Sequence, residues 1–224
     1  MNTTTSLETH IVNPQKDPVA SVIWMHGLGA HNRDFDALIP DLTNHETLPL
    51  RFIFPNAPYR PVSINYNAPL RAWYDIYSLT NLSREDKDGL FESVDAISQL
   101  IQAEIDRGVP ANRIVLAGFS QGGAMALYTG MRQSQKIAGI LALSCYLPLM
   151  NEHATTVHPA NIETPILMLH GTKDMTLPSF VGKMGHDHIV RTHKNVEWKE
   201  YVMTHEITNQ EARDIYQWLS RIII

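Results

Sequence analysis

The chain has 224 residues, 44% hydrophobic and 18% charged, a globular composition that excludes a disordered or collagen-like chain. Eighteen Lys and Arg against 23 Asp and Glu give a formal charge of -5, so no basic surplus exists to neutralise phosphates, and nucleic acid is not an expected partner. The single cysteine, Cys145, excludes an intrachain disulfide and a four-thiolate zinc site and fits a reducing compartment.

The length suits one domain over residues 1–224. Residues 1–16 are polar and Thr-rich, without the charged start and apolar stretch of a secretory signal, so a cytoplasmic protein is expected. No apolar run approaches the ~20 residues of a membrane span. The glycosylation sequons at Asn2 and Asn81 then read as unmodified chance matches.

In chain order, residues 19–25 form an apolar strand, followed by His26-Gly27-Leu28-Gly29 and a helix near residues 34–42. A second strand is expected at 50–54. Residues 55–82 hold Pro55, Pro58, Pro61 and Pro69 and read as an irregular loop lying over the site. Leu90, Val94, Ile97, Ile101 and Ile105 recur at helical spacing and predict a helix ending near Gly108 and Pro110. Strands follow at 113–119, 137–144, 165–170 and 196–202, separated by a helix at 121–132 and a polar surface helix at 180–192. Thr208 with Glu211 three residues on is a capping box, and Ala212, Ile215, Trp218, Leu219 and Ile222 continue a final helix. Strands alternating with helices predict an α/β fold with a mostly parallel sheet, and continuous apolar runs predict strands buried on both faces. No internal repeat or flexible linker divides the chain.

The chemistry concentrates at Gly118-Phe119-Ser120-Gln121-Gly122-Gly123, between a predicted strand and a predicted helix. A serine on so sharp a turn requires neighbours without Cβ two residues before and after it, and Gly118 and Gly122 meet that need. The turn also places Ser120 at a helix N-terminus, where the backbone N–H of Gln121 faces a developing oxyanion. The bland alternative is a Gly-rich tight turn. A serine nucleophile needs a base and an orienting acid. Asp174 follows the strand at 165–170, on the carboxyl edge of the sheet where such folds keep their sites, and is the expected acid; its bland alternative is a turn or helix cap. His205, between the last strand and the last helix, is the expected base.

His186, His188 and His193 form a rival group, but His186 follows Asp174 by only 12 residues, too few for an intervening helix and strand, and on a polar helix such residues read as solvated side chains. No metal or organic cofactor is expected. Leu28, in the turn after the first strand, is placed to offer its backbone N–H as a second oxyanion donor, unless the two glycines merely turn the chain. Cys145 lacks a helix N-terminus to activate it and reads as a packed small residue.

These blocks, together with residues 56–62, Arg71-Ala72-Trp73-Tyr74-Asp75-Ile76 and Leu143-Ser144-Cys145-Tyr146-Leu147-Pro148, resemble in order those of the acyl-protein thioesterase and carboxylesterase group, the phospholipase/carboxylesterase family of the α/β-hydrolase fold. The resemblance implies a minimal single domain without a large cap and a mostly parallel central sheet with helices on both faces. It implies Ser120, Asp174 and His205 as triad and Leu28 and Gln121 as oxyanion donors, and suggests that the stretch around Trp73 lines an acyl groove. Substrate-binding positions are then expected at Leu28, Trp73, Met175 and Leu177. One departure stands out: Met203-Thr204-His205 replaces the usual Met-Gly-His, with Val202 where proline is common. If the loop requires a left-handed residue there, Thr204 displaces His205 and lowers activity. The acid turn, Met175-Thr176-Leu177-Pro178, differs too and is expected to reshape the pocket.

The leading expectation is a serine hydrolase that cleaves carboxylic esters or thioesters of small molecules, acylated proteins or lipids through an acyl-Ser120 intermediate. The alternative is a non-catalytic member that binds acyl chains or acylated partners. Transient contact with a membrane surface fits such substrates, and the apolar residues Ile222 to Ile224 offer a surface for a homodimer.

Overall fold

The apolar runs become parallel strands in the structure, a computed structural model that describes residues 7–44, 46–79 and 84–223. Asn2, Asn81 and Ile224 lie outside them. The strands are β1 (Thr9–Val12), β2 (Ala20–Met25), β3 (Leu50–Pro55), β4 (Tyr59–Val62), β5 (Ala68–Arg71), β6 (Ile114–Phe119), β7 (Gly139–Leu143), β8 (Ile166–Gly171) and β9 (Val196–Tyr201). Seven build one sheet in the order β1-β3-β2-β6-β7-β8-β9, all parallel except β1, which pairs antiparallel with β3 through His10 opposite Phe54. Every residue of β2, β7 and β8 is buried, as expected of strands covered on both faces.

The helices are α1 (Ile39–Leu42), α2 (Lys87–Asp106), α3 (Gln121–Gly130), α4 (His153–Thr156), α5 (Ser179–Ile189) and α6 (Asn209–Ile223). Strand alternation feeds two cores. Ile23, Met25, Leu116 and Ile140 pack with α2 and α3, and Val22, Trp24, Val115 and Leu141 pack with α1 and α6. Helix α2 is also tied to the sheet by a polar group: buried Glu104 accepts from Ser21 Oγ at 2.6 Å and pairs with Arg51 at 3.1 Å. The capping box is realised, with the Glu211 N–H donating to Thr208 Oγ1 at 3.3 Å and Glu211 Oε2 accepting from the Thr208 N–H at 3.4 Å.

Two expectations are corrected. Residues 55–82 are not wholly irregular, because β4 and β5 form an antiparallel hairpin with Pro61 opposite Pro69. Proline is tolerated in such a two-stranded ribbon because each strand has an edge that needs no donor. Helix α5 is not a solvated helix, since Val181, Gly182, Gly185 and Ile189 bury one face. Of the C-terminal isoleucines, Ile223 is buried and Ile222 is half-buried, packed beside Trp218 and Gly139.

Candidate active site

Four strand ends converge on the carboxyl edge of the sheet. Strand β6 leads into Ser120, whose φ of 54° and ψ of -121° put a non-glycine residue in a strained turn, held by its N–H donating to Leu143 O at 2.8 Å. The two glycines are required by close approach. A Cβ on Gly118 would lie 2.2 Å from the Gly122 carbonyl group, and one on Gly122 would lie 2.2 Å from Met25 O, at the end of β2. Helix α3 therefore starts directly against β2, and Gln121, its first residue, has a backbone N–H with no intrahelical acceptor by position.

The turn after β8 supplies Asp174, whose side chain is wholly buried. Its Oδ1 accepts the N–H groups of Thr176 at 2.9 Å and Leu177 at 2.8 Å, and its Oδ2 accepts Nδ1–H of His205 at 2.6 Å. That bond fixes the neutral imidazole tautomer and leaves Nε2 as a proton acceptor. The ring of His205 packs at 4.7 Å on that of Phe119, the residue before Ser120, so the structure brings acid, imidazole and serine turn together. His170, which the sequence did not single out, packs beneath: its Nε2 donates to Leu177 O at 2.8 Å and stands 3.6 Å from Asp174 Oδ2, and burial pushes its pKa down.

The loop carrying His205 is pinned by Lys173 N–H to Met203 O at 3.0 Å. Among the described residues the left-handed non-glycine positions are Tyr66, Asn67, Ser120, Ser144 and Leu149, so Thr204 carries no such strain, and the displacement of His205 expected from it does not arise. Instead Thr204 is used. Its N–H and Oγ1 both donate to Glu206 Oε1, at 3.3 and 2.9 Å, bridging across His205.

Leu28 is half-buried beside the serine turn, where a Cβ on the preceding Gly27 would lie 3.4 Å from Ser120 Cβ. Its backbone N–H has no acceptor among the described residues. The expected substrate-binding residues separate. Met175 is 90% exposed, whereas Leu177 is 3% and Trp73 0% exposed, so neither of the last two offers a wall to a ligand. An open cavity of about 350 Å³ does reach His205, bounded by Phe35, Leu38, Phe119 and Ile207 with Asp34, Asp41 and Glu206 at its polar side. A larger one of about 660 Å³ lies at the opposite strand ends, between Lys136, Pro165, Asn195 and Arg221.

The rival histidines point elsewhere. His186 bonds Asp187 at 2.9 Å, and His188 and His193 pack around His153. Among the described residues no group of three His, Cys, Asp or Glu could hold a metal ion. Cys145 is buried against Gly123, and burial raises its thiol pKa far above the ordinary value.

The model of the phospholipase/carboxylesterase family matches residues 7–223. Acyl-protein thioesterase 1 of Yarrowia lipolytica is 40% identical over 213 residues, covering 91% of this chain and 92% of its own, and that of Schizosaccharomyces pombe is 35% identical over 187 residues, covering 84% and 83%. Among solved structures, Zea mays acyl-protein thioesterase 2 superposes with a TM-score of 0.86 at 26% identity, covering 97% of this chain and 99% of that one. Arabidopsis thaliana SOBER1 gives the same TM-score and identity over 92% and 99%. The chain is an α/β-hydrolase-fold hydrolase of the ester and thioester class, and it belongs to the phospholipase/carboxylesterase family.

Proposed function

We propose that the protein removes acyl groups from thioesters and esters through an acyl-Ser120 intermediate, with acylated proteins as its substrate class. The observation that carries this reading is the 2.6 Å bond from His205 Nδ1 to buried Asp174, beside the strained serine turn at the N-terminus of α3. His205 Nε2 takes the Ser120 hydroxyl proton as Oγ bonds the acyl carbon, and the oxyanion is held by the N–H groups of Leu28 and Gln121. Collapse breaks the bond to the thiolate or alkoxide, which receives the proton from His205. Water then attacks the acyl-enzyme through the same base and releases the carboxylic acid. Asp174 stabilises the imidazolium throughout, and the scheme calls on no cofactor.

The cavity beside His205 supports an apolar substrate, the 40% identity to an acyl-protein thioesterase supports protein substrates, and the single cysteine fits the reducing cytoplasm as their setting. Transient membrane contact belongs to the same reading, with Tyr66, 96% exposed on the hairpin, as the residue placed for it. The test is hydrolysis of p-nitrophenyl esters and S-acyl peptides of increasing chain length by the parent and Ser120→Ala. Loss of turnover in Ser120→Ala is expected. Undiminished turnover would refute the acyl-serine route, and binding of S-acyl peptides without turnover by the parent would favour the non-catalytic alternative.

A further inference from the structure

Trp73 has no exposed surface, yet every polar atom it owns is engaged. Its indole Nε1–H donates to His26 O at 2.9 Å, its main-chain N–H donates to Gln121 Oε1 at 2.9 Å, and its carbonyl accepts from Ser93 Oγ. Gln121 Nε2 donates in turn to Tyr74 O at 2.7 Å, which settles the orientation of that amide, since one end faces a donor and the other an acceptor. His26 is equally committed. Its Nε2 accepts the Ala57 N–H at 3.0 Å, so its Nδ1 donates to Gly27 O at 2.7 Å, and burial pushes its pKa down in keeping with a neutral ring.

These bonds join two segments just beyond the point where the ladder between β2 and β6 ends, with Met25 opposite Gly118. His26 begins the turn that ends in Leu28, and Gln121 begins α3. Each supplies one of the two N–H groups assigned to the oxyanion, and Trp73 is the residue that bonds both. We propose that Trp73 is a positioning residue: through His26 and the Gln121 side chain it fixes the Leu28 and Gln121 N–H groups at the separation the tetrahedral oxyanion needs. This rests on the acyl-Ser120 reading above. Two donors help a transition state only when they are already in place, because donors that must reorganise lose most of their advantage. Two glycines make the Leu28 turn intrinsically loose; the Gly29 N–H donating to Arg71 O at 2.8 Å ties its far end, and the buried indole bonded to His26 O ties its start. Trp73 is thus neither a groove wall nor a group that contacts substrate.

The test is Trp73→Phe, which keeps an aromatic ring and removes the indole N–H, with every rate referred to active sites titrated by a fluorophosphonate so that partial unfolding cannot imitate the effect. Removing one oxyanion donor outright lowers kcat about 10²–10³-fold, so misplacing one is expected to lower it about 10- to 100-fold. KM should stay within about twofold. Affinity for an alkyl trifluoromethyl ketone, which adds to Ser120 and carries an oxyanion, should fall in parallel with kcat. A raised KM with unchanged kcat would mean a groove wall and overturn the proposal, as would unchanged kcat and ketone affinity. If Trp73→Phe does not fold, Gln121→Leu breaks the same bracket while keeping the backbone N–H, and the same outcomes decide. Ser120→Ala run alongside separates the two questions: if it stays active the acyl-serine reading fails, and if it is inactive while Trp73→Phe is normal only the positioning role fails.

Discussion

Replacing Glu211 by Gln should stabilise the protein, and by more at higher pH. Glu211 stands in the first turn of α6 with no exposed surface; Oε2 accepts the Thr208 N–H at a long 3.4 Å, and Oε1 is buried without a partner. Burial raises its pKa from the ordinary 4.5 to about 8. A carboxyl whose pKa is raised on folding keeps a proton that the unfolded chain releases, so its stability contribution is complete below pH 4.5 and is lost as pH climbs toward 8. At roughly 1.4 kcal/mol per pH unit the loss is about 3 kcal/mol at pH 7 and about 5 kcal/mol above pH 8. These are upper figures, because water reaching the first turn relieves part of the cost. Gln retains the acceptor that the capping box uses and carries no charge. Urea unfolding of both proteins at pH 5, 7 and 8.5, followed by tryptophan fluorescence, isolates the term because all other titrating groups are shared. The expected difference is within about 1 kcal/mol at pH 5 and grows with pH in favour of the variant. A difference that is independent of pH, or that shrinks as pH rises, would refute the argument.

Asp174→Asn should lower kcat about 10³–10⁴-fold with little change in thermal stability, since it spoils the tautomer and charge at His205 rather than the packing; kinetics beside calorimetry test this. Gly122→Ala should cost about 1–3 kcal/mol and lower kcat at least tenfold, because its Cβ meets Met25 O at 2.2 Å and pushes α3 off β2; urea unfolding and ester hydrolysis read both. Thr204→Gly, which restores the residue common in the family, should not raise kcat, and a rise above about twofold would reveal strain absent from the described backbone. Burial depresses the pKa of His26, His170 and His193 and takes that of His153 to about 3, so all four are neutral when folded while the unfolded chain protonates near 6.5. Stability is therefore complete above pH 6.5 and falls as pH drops, and His153→Gln should reduce the loss between pH 6.5 and 4 by up to about 3 kcal/mol in denaturation series.

What the sequence disclosed follows from burial. Most of the six parallel strands are apolar runs, and the observed ends of all six fall within two residues of the expected ones. β1 escaped because it is a four-residue edge strand with mixed exposure, and the β4–β5 hairpin escaped because four prolines read as loop and its turn uses left-handed Tyr66 and Asn67 rather than a glycine signal. Ser120, Asp174 and His205 were legible because each lies just past an expected strand, apolar for the first two and mixed for β9, which fixes it to the carboxyl edge of the sheet whatever the loops do. Their mutual contacts were not legible, and neither was the bridge that Thr204 and Glu206 make across His205.

Trp73 marks the boundary between the two kinds of information. A large apolar residue in a segment placed near the site suits both a groove wall and a core strut, and composition does not distinguish them. The distinction lies in where one N–H points. An indole lining a groove would present a face to the ligand, whereas here its donor is spent on the carbonyl of His26 and its ring is enclosed beside the His26 ring at 5.4 Å. Each of the three expected apolar contacts with a side chain near the acid or the hairpin depended on such a direction. Trp73 and Leu177 turn inward and Met175 outward, and the open cavity beside His205 is walled instead by Phe35, Leu38, Phe119 and Ile207, which the sequence did not single out. The candidate catalytic positions thus follow from where the strands end, which periodicity reveals, and the walls around them from side-chain direction, which only packing decides.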